Sequence, residues 1–317
     1  MICDSNTEGG AASSLFPFSD DRFMSLSTPY IGRFAPSPSG PLHFGSLVAA
    51  LGSYLQAQSR QGRWLVRMED LDPPREMPGA ADDILRTLEA YGFEWDGPVM
   101  YQSQRHDAYQ AQIDAWLHSG AAYYCRCTRK EIKAAGGFYP GTCRSRHHSA
   151  ENSAVRLRVD TPITHFHDIL HGRIDIPPAL AQEDFIIHRR DGLYAYNLAV
   201  VLDDIAQGVT EVVRGADLID PTGRQIGLYR QLGQPEVSYL HLPLAVSENG
   251  NKLSKQNHAP AIDKHNPVPA LVQAMAFLGM APPAELAASS LDTILRWGCQ
   301  NWHVEKLPQT TAITLAF

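Results

Sequence analysis

The sequence predicts an α/β protein built on a doubly wound parallel sheet, interrupted once by a small cysteine-bearing insert. Three observations predict it. Short runs of β-forming residues alternate with amphipathic helical segments up to about residue 120, and again after residue 186. Between 121 and 185 that alternation gives way to cysteines, basic residues and short strands. After residue 248 there is one polar loop and one helical segment, Pro269 to Leu278, in a short helical C-terminal region.

Each element has its own signal. Tyr30 to Phe34 is a short β-former run ahead of a proline loop. Leu47, Leu51, Tyr54 and Leu55 recur at helical spacing, which predicts a helix from Ser46 to Gln58. Arg63 to Met68 reads as a strand closed by the acidic stretch EDLDPPRE. Ile84, Leu85, Leu88 and Tyr91 place a helix over Ala80 to Tyr91, with Gly92 as its stop. A third helix runs from Asp107 to Ser119, with Tyr109, Ile113, Trp116 and Leu117 inward. EDFIIHRRDGLYAYNLAVVLDD reads as a strand, an Asp-Gly turn and a return to the sheet. VTEVVRGADL then gives a strand, PTGRQIGLYRQLG a helix, and LHLPLAV a last strand.

These divide the chain into an extension (1–29), the first half of a catalytic domain (30–120), the insert (121–185), the second half (186–247) and the C-terminal region (248–317). A chain of 317 residues, 44% hydrophobic and 19% charged, can bury a large core in two or three domains. No apolar run approaches the roughly 18 residues of a membrane span. Residues 1–28 lack the basic start and apolar run of a secretory signal, and read as a mobile extension in which Met24 offers a second start. Without such a signal, an odd cysteine count of five points to a reducing cytoplasm instead of a disulfide framework.

The net charge of −7 gives no global sign of nucleic-acid binding. Locally, however, Arg126, Arg129, Lys130, Lys133, Arg144 and Arg146 stand against Glu131 alone between Cys125 and His148. That is either a solvated face or a phosphate-binding surface. Cys125, Cys127 and Cys143 lie in the same segment, and three thiolates in a short module suit a structural tetrahedral zinc site. Spacing leaves the fourth ligand open between Tyr139, His147 and His148.

Two stretches bear on phosphate chemistry. In RFAPSPSGPLHFGSL, Arg33 to Leu47, prolines stiffen the chain just before a helix whose free N–H groups favour a phosphate, with His43 and Ser46 beside them. Alone, this is equally a proline-rich connector with a stray histidine. In NKLSKQ, Lys252 and Lys255 can each neutralise phosphate charge, although lysine pairs are common in surface loops.

Together they say more. RFAPSPSGPLHFGS, RMEDLD, YAYNLAVVLDD and VVRGADL, followed by KLSK, resemble in matching order the catalytic core of the glutamyl-tRNA synthetases, class I aminoacyl-tRNA synthetases. The resemblance covers about residues 30 to 260. The short remainder, with HFGS, KLSKQNHAPA and CRC…FYPGTC, is similar to the glutamyl-Q tRNA(Asp) synthetase family, which lacks the anticodon-binding domain. That family activates glutamate with ATP without tRNA and places it on the queuosine base at the wobble position of tRNA(Asp).

The resemblance implies roles. Arg33, Ala35, Ser37, Glu69, Tyr196 and Arg214 fall where the family holds glutamate: Glu69 at the α-ammonium, Tyr196 along the pocket, Arg33 and Arg214 at the side-chain carboxylate. Arginine can grip a carboxylate in a two-pronged fork, and glutamine would leave the guanidiniums unpaired. Read without the family, Arg214 is a structural ion pair with Asp217 or Glu211. His43, Gly45, Ser46, Lys252 and Lys255 fall on ATP, with His43, Ser46 and Lys255 serving catalysis. Ser46 stands where the class motif most often has a second histidine. Magnesium is implied with ATP, without an assignable protein ligand, and one structural zinc on Cys125, Cys127, Tyr139 and Cys143. The implied partners are ATP, L-glutamate and queuosine-containing tRNA(Asp), with no membrane, for a monomer. Two rivals are a truncated synthetase charging a tRNA 3′ end and a non-catalytic RNA-binding paralog.

Overall fold

The structure, a computed structural model, describes residues 29–247 and 260–315. The chain opens with β1 (Ile31–Phe34), α1 (Phe44–Ser59), β2 (Arg63–Met68), α2 (Ala80–Ala90), β3 (Met100–Tyr101) and α3 (His106–Ser119). The strands β1, β2 and β3 are parallel, with Ile31 opposite Arg63 and Arg67 opposite Met100. Next come β4 (Ala122–Cys125), α4 (Arg129–Ala134), β5 (Ala154–Leu157), β6 (His165–Asp168), β7 (Gly172–Asp175), α5 (Pro178–Ala181) and β8 (Phe185–His188). Here β4, β5 and β8 form a separate antiparallel sheet.

The second half supplies α6 (Tyr196–Gln207), β9 (Glu211–Gly215), α7 (Ile219–Gln231), β10 (Ser238–Leu242) and β11 (Leu244–Val246). The strands β9 and β10 are parallel, with Ser238 opposite Glu211 and Leu242 opposite Gly215. On its other side β10 pairs in parallel with β6, and β6 with β7 in antiparallel sense. The two parallel sheets meet where β1 lies beside β9: the Thr210 N–H donates to the Ile31 carbonyl at 2.9 Å, and the Ile31 N–H to Thr210 Oγ1 at 2.9 Å. From that seam the chain winds outward in both directions, through α1 to β2 and through α7 to β10. A seam of this kind opens a crevice at the carboxyl ends of its strands.

Helix α1 runs along the seam and fills it with Leu47, Val48, Leu51 and Leu55, all buried. A Cβ at Gly52 would stand 2.4 Å from Leu242 Cδ1, so glycine lets α1 settle directly onto β10. Phe34 stacks on Trp64, which also meets Tyr54 edge-on and Phe93 at a tilt. A second core gathers Tyr109, Ile113 and Trp116 of α3 with Val155, Phe185, Leu198, Val201 and Ile226. The chain closes with α8 (Pro267–Phe277), α9 (Leu291–Asn301) and β12 (Ala312–Thr314), the last parallel to β11. The buried Gln56 of α1 donates to Glu211 Oε1 at 2.6 Å and accepts from Trp302 Nε1 at 2.6 Å.

Several expectations need correction. The segment YNLAVVLDD does not return to the sheet; it is α6. Its run Leu198–Val201 is buried throughout, so it lacks a solvent face that would betray helical periodicity. Helix α1 begins at Phe44, two residues early, because His43 caps it. LHLPLAV is two strands, since Pro243 cannot donate to a ladder and the chain changes sheet there. The main sheet is parallel except for β7, whose hairpin with β6 lies inside the segment read as an insert yet pairs with β10. The C-terminal region holds a second helix, α9, and the strand β12 besides the expected one.

Candidate active site

At the carboxyl ends of β1 and β9 lies a cavity of about 730 Å³. Arg33, Ala35, Ser37, His43, Gly45, Ser46, Glu69, Tyr196 and Arg214 all line it. Sequence separations of up to 181 residues thus collapse onto one wall and floor. Lys252 and Lys255 lie outside the described residues. Ala245 lines the cavity and Ala261 is bridged to His43, so the described chain stops and resumes close to the histidine.

The proline loop is fastened instead of merely stiff. The Pro36 carbonyl accepts the Glu69 N–H at 3.0 Å, and the Pro38 carbonyl accepts the Met77 N–H at 3.0 Å. Proline carbonyls keep their acceptors although the ring removes the donor. The loop that carries Ala35 and Ser37 is thereby tied to the strand end that carries Glu69. Gly40 turns the loop with a φ of 133°, a backbone conformation that side chains disfavour. At its end, His43 Nδ1 accepts the Ser46 N–H at 3.3 Å, leaving the Phe44 and Gly45 N–H groups uncapped by it.

The charged groups form a buried network. Asp204 of α6 accepts from Arg33 Nε at 3.0 Å and from Arg67 NH1 at 2.8 Å. Burial would raise the Asp204 carboxyl, but Arg33 and Arg67 hold it below the ordinary range. Arg67, fully buried, also donates to Gln207 and stands 3.6 Å from Glu69 Oε1. Glu69 is 11% exposed, and burial pushes its carboxyl up against the pull of Arg67 and Arg33. Among the described residues Arg33 has Asp204 as its hydrogen-bond partner through Nε alone, which leaves its terminal fork toward the cavity.

Arg214 lines the cavity but lacks the ion pair expected without the family. It pairs with neither Glu211, which accepts from Tyr30 and Gln56, nor Asp217; its acceptors among the described residues are all neutral. Nε donates to His241 Nε2 at 3.1 Å, NH2 to the Leu218 carbonyl at 3.0 Å and Thr222 Oγ1 at 2.8 Å, and NH1 to Gln225 Oε1 at 2.8 Å. The last N–H points to the Tyr196 hydroxyl at a long 3.4 Å. Arg214 can therefore offer an anion one hydrogen bond and a full charge, and the two-pronged fork falls to Arg33.

A second cluster sits between β4 and the loop after α4. The Sγ atoms of Cys125, Cys127 and Cys143 lie within 4.8 Å of one another, with 3.6 Å between Cys127 and Cys143. Tyr139 accepts the Cys143 N–H on its hydroxyl at 2.7 Å, which puts the phenol oxygen among the thiols. His147 and His148 are not in the group. Burial works against the Cys143 thiolate, yet the Arg126 N–H and the Tyr139 hydroxyl hold it low, while burial and Cys143 push Cys127 up to about 12. Arg156 donates to Cys125 Sγ at 3.3 Å and lies 3.8 Å above the Tyr139 ring, a cation that would offset thiolate charge. Three soft donors and a phenol in a closed cluster fit a four-coordinate structural zinc ion.

The sequence matches the family of class I tRNA synthetases (E and Q), catalytic domain, over residues 31–137 and 139–297. A glutamyl-Q tRNA(Asp) synthetase of Photobacterium profundum is 77% identical over 293 residues, 92% of this chain and 94% of that one. Those of Vibrio parahaemolyticus and Escherichia coli K12 are 67% and 59% identical, over 91% and 92% of this chain and 97% and 94% of theirs. The fold is that of glutamate-tRNA synthetase from Elizabethkingia anophelis, with a TM-score of 0.74 at 24% identity over 91% of this chain and 68% of that one. A glutamate tRNA ligase from Elizabethkingia meningosepticum, solved with its amino acid, gives 0.73 at 25% over 89% of this chain and 66% of its own. The chain belongs to the class I tRNA synthetases of the glutamyl and glutaminyl type and, within them, to the glutamyl-Q tRNA(Asp) synthetase family.

Proposed function

We propose that this protein activates L-glutamate with ATP, without tRNA, and transfers the glutamyl group to the queuosine base of tRNA(Asp). The observation that carries the reading is one cavity lined by both an amino-acid set and a phosphate set, in a chain 77% identical to a relative of that name. The Arg33 fork and the weakly held fifth N–H of Arg214, released from its long contact to the Tyr196 hydroxyl, take the side-chain carboxylate. Glu69 takes the α-ammonium, and Tyr196 closes the wall between them. The Phe44 and Gly45 N–H groups, with the Ser46 hydroxyl and the outer nitrogen of His43, face the ATP phosphates at the start of α1.

In the activation step an oxygen of the glutamate α-carboxylate attacks the α-phosphorus of ATP. A carboxyl–phosphate anhydride forms, the bond to the β-phosphate oxygen breaks, and pyrophosphate leaves. Charge builds on the α-phosphate, and Lys255 neutralises it, while Lys252 binds ATP. Magnesium accompanies ATP and screens its phosphates. Cys125, Cys127, Cys143 and Tyr139 would hold zinc, which would order the basic segment that meets RNA and stay away from the chemistry. No helix among the described residues is long and apolar enough to cross a membrane. A cytoplasmic monomer is the arrangement this reading assumes.

Glutamate-dependent exchange of pyrophosphate into ATP should proceed with no tRNA present. Lys255→Ala should slow it by about 100-fold or more, as loss of one transition-state charge does. Labelled glutamate should transfer to tRNA(Asp) carrying queuosine and not to tRNA lacking it. The likeness to glutamate-tRNA synthetases keeps a second reading, charging of a tRNA 3′ ribose. Equal transfer to both tRNA forms, abolished by periodate on queuosine-free tRNA, would establish that one instead.

A further inference from the structure

We propose that Asp168 and His241 are positioning residues for glutamate recognition, locking the Arg214 guanidinium so that one N–H alone faces the amino-acid cavity. The proposal rests on the reading of Arg214 as a glutamate-binding residue. Three adjacent strands each supply one member: Asp168 ends β6, His241 lies on β10, and Arg214 on β9 is the register partner of His241. Asp168 and His241 are completely buried, and Arg214 is 5% exposed.

The order of hydrogen bonds fixes the proton. Asp168 Oδ1 accepts the Leu170 and His171 N–H groups at 3.0 Å each, so the carboxylate cannot turn. Its Oδ2 then accepts the His241 backbone N–H at 3.1 Å and faces Nδ1 at 2.7 Å. An ionised carboxylate only accepts, so Nδ1 carries the proton. Nε2 is left as a lone pair, and it receives Arg214 Nε–H at 3.1 Å. Burial and Arg214 both disfavour the imidazolium, which agrees with a neutral ring despite Asp168. Tyr239 stacks on the ring at 6.0 Å and Phe166 meets it at 6.2 Å, so the ring cannot flip.

The consequence is specificity. With four of its N–H bonds committed to neutral acceptors, Arg214 cannot swing to solvent or to a carboxylate of the protein. With no carboxylate of the described residues in direct contact, it presents its charge to the side-chain end of the substrate. A carboxylate answers that charge; an amide does not. The hairpin β6–β7 thus takes part in choosing glutamate without touching it.

The test has two arms. Long-range proton–nitrogen correlation spectra of the full-length protein, labelled in histidine and assigned with His241→Gln, read the tautomer of His241. A protonated Nδ1 and bare Nε2 at pH 7 are expected; the reverse tautomer, or a charged ring, would overturn the proposal. This arm stands even if the wild-type protein shows no glutamate-dependent exchange, a result that would sink the functional reading alone.

Exchange kinetics form the second arm. Asp168→Asn presents an amide N–H where Nδ1–H now donates, which forces the proton to Nε2 against Arg214. The KM for glutamate should rise about 10- to 100-fold, as for a lost hydrogen bond to a charged group, with the KM for ATP within about 3-fold. Preference for glutamate over glutamine should fall with it. His241→Gln keeps an acceptor near Arg214 and should stay within about 5-fold of wild type, while His241→Leu should match Asp168→Asn. Glutamate and ATP constants rising together, or Gln no better than Leu, would show a merely structural pair.

Discussion

Replacing Asp204 by asparagine removes the carboxylate to which both Arg33 and Arg67 are hydrogen-bonded and leaves the shape of the site intact. The amide oxygen can still accept at the position of Oδ1, now 3.0 Å from Arg33 Nε and 2.8 Å from Arg67 NH1. The anion, however, is gone. Two guanidiniums, 3% and 0% exposed, would remain with Glu69, whose own carboxyl burial already pushes up. Breaking a buried pair from one side costs about 3–5 kcal/mol, and retention of the hydrogen bonds places this change near about 3 kcal/mol. At roughly 2 °C per kcal/mol for a large domain, the melting midpoint should fall by about 6 °C. Circular dichroism at a fixed heating rate measures it. The Asp204 carboxyl lies below its ordinary 3.8, so its stabilisation is complete above that pH and is lost as pH falls through the lower folded value. The gap between the two proteins should therefore be constant from pH 7 to pH 5. Adding Arg67→Met should recover part of the loss, because it removes one stranded cation. A midpoint within about 1 °C of wild type, or no recovery in the double variant, would refute the electrostatic account of this core.

Three further outcomes are expected. Burial raises the Glu69 carboxyl, so the KM for glutamate should climb on acidification at a pH above the ordinary 4.5 of a free carboxyl, and Glu69→Gln should abolish that dependence. His43→Asn keeps a good helix cap and should retain stability while losing ATP affinity; His43→Ala should lose both, with about 1 kcal/mol of stability seen in urea unfolding. Purified protein should carry one zinc per chain by elemental analysis. Cys143→Ser should lose it, and Tyr139→Phe should weaken it about 10-fold or more in competition with a chelator; unchanged affinity would show that the phenol is not a ligand.

The residues that bind were far easier to read than the residues that hold them. Arg33, His43, Ser46 and Glu69 sit in short motifs whose chemistry is local, and all line one cavity. Arg67 and Asp204 stand inside the quoted motifs RMEDLD and YAYNLAVVLDD without showing that they pair, and Asp168 and His241 lie in no motif at all. Each looks like an ordinary strand or helix position, and its role depends on a partner 137 or 73 residues away. The same blindness explains α6. Its run Leu198–Val201 is buried on all sides, so hydrophobic periodicity is blurred in the very helix that delivers Asp204. Arg214 lines the cavity with most of its hydrogens already committed, which a sequence does not show: it gives a guanidinium and not how many of its hydrogens are in use.

The side chain of Gln56 has a mechanical meaning. Its amide nitrogen is held by Glu211 on β9 and its oxygen by Trp302 beyond α9. A helix gripped on both ends of one amide cannot roll about its axis. Since the opposite end of α1 carries Gly45 and Ser46, a quarter-turn there would sweep those groups off the phosphates. On the proposed function, Trp302 after α9 is therefore a torsion brake on the nucleotide site. Removing Trp302 should slacken that brake: ATP binding should become less selective in orientation well before the fold gives way.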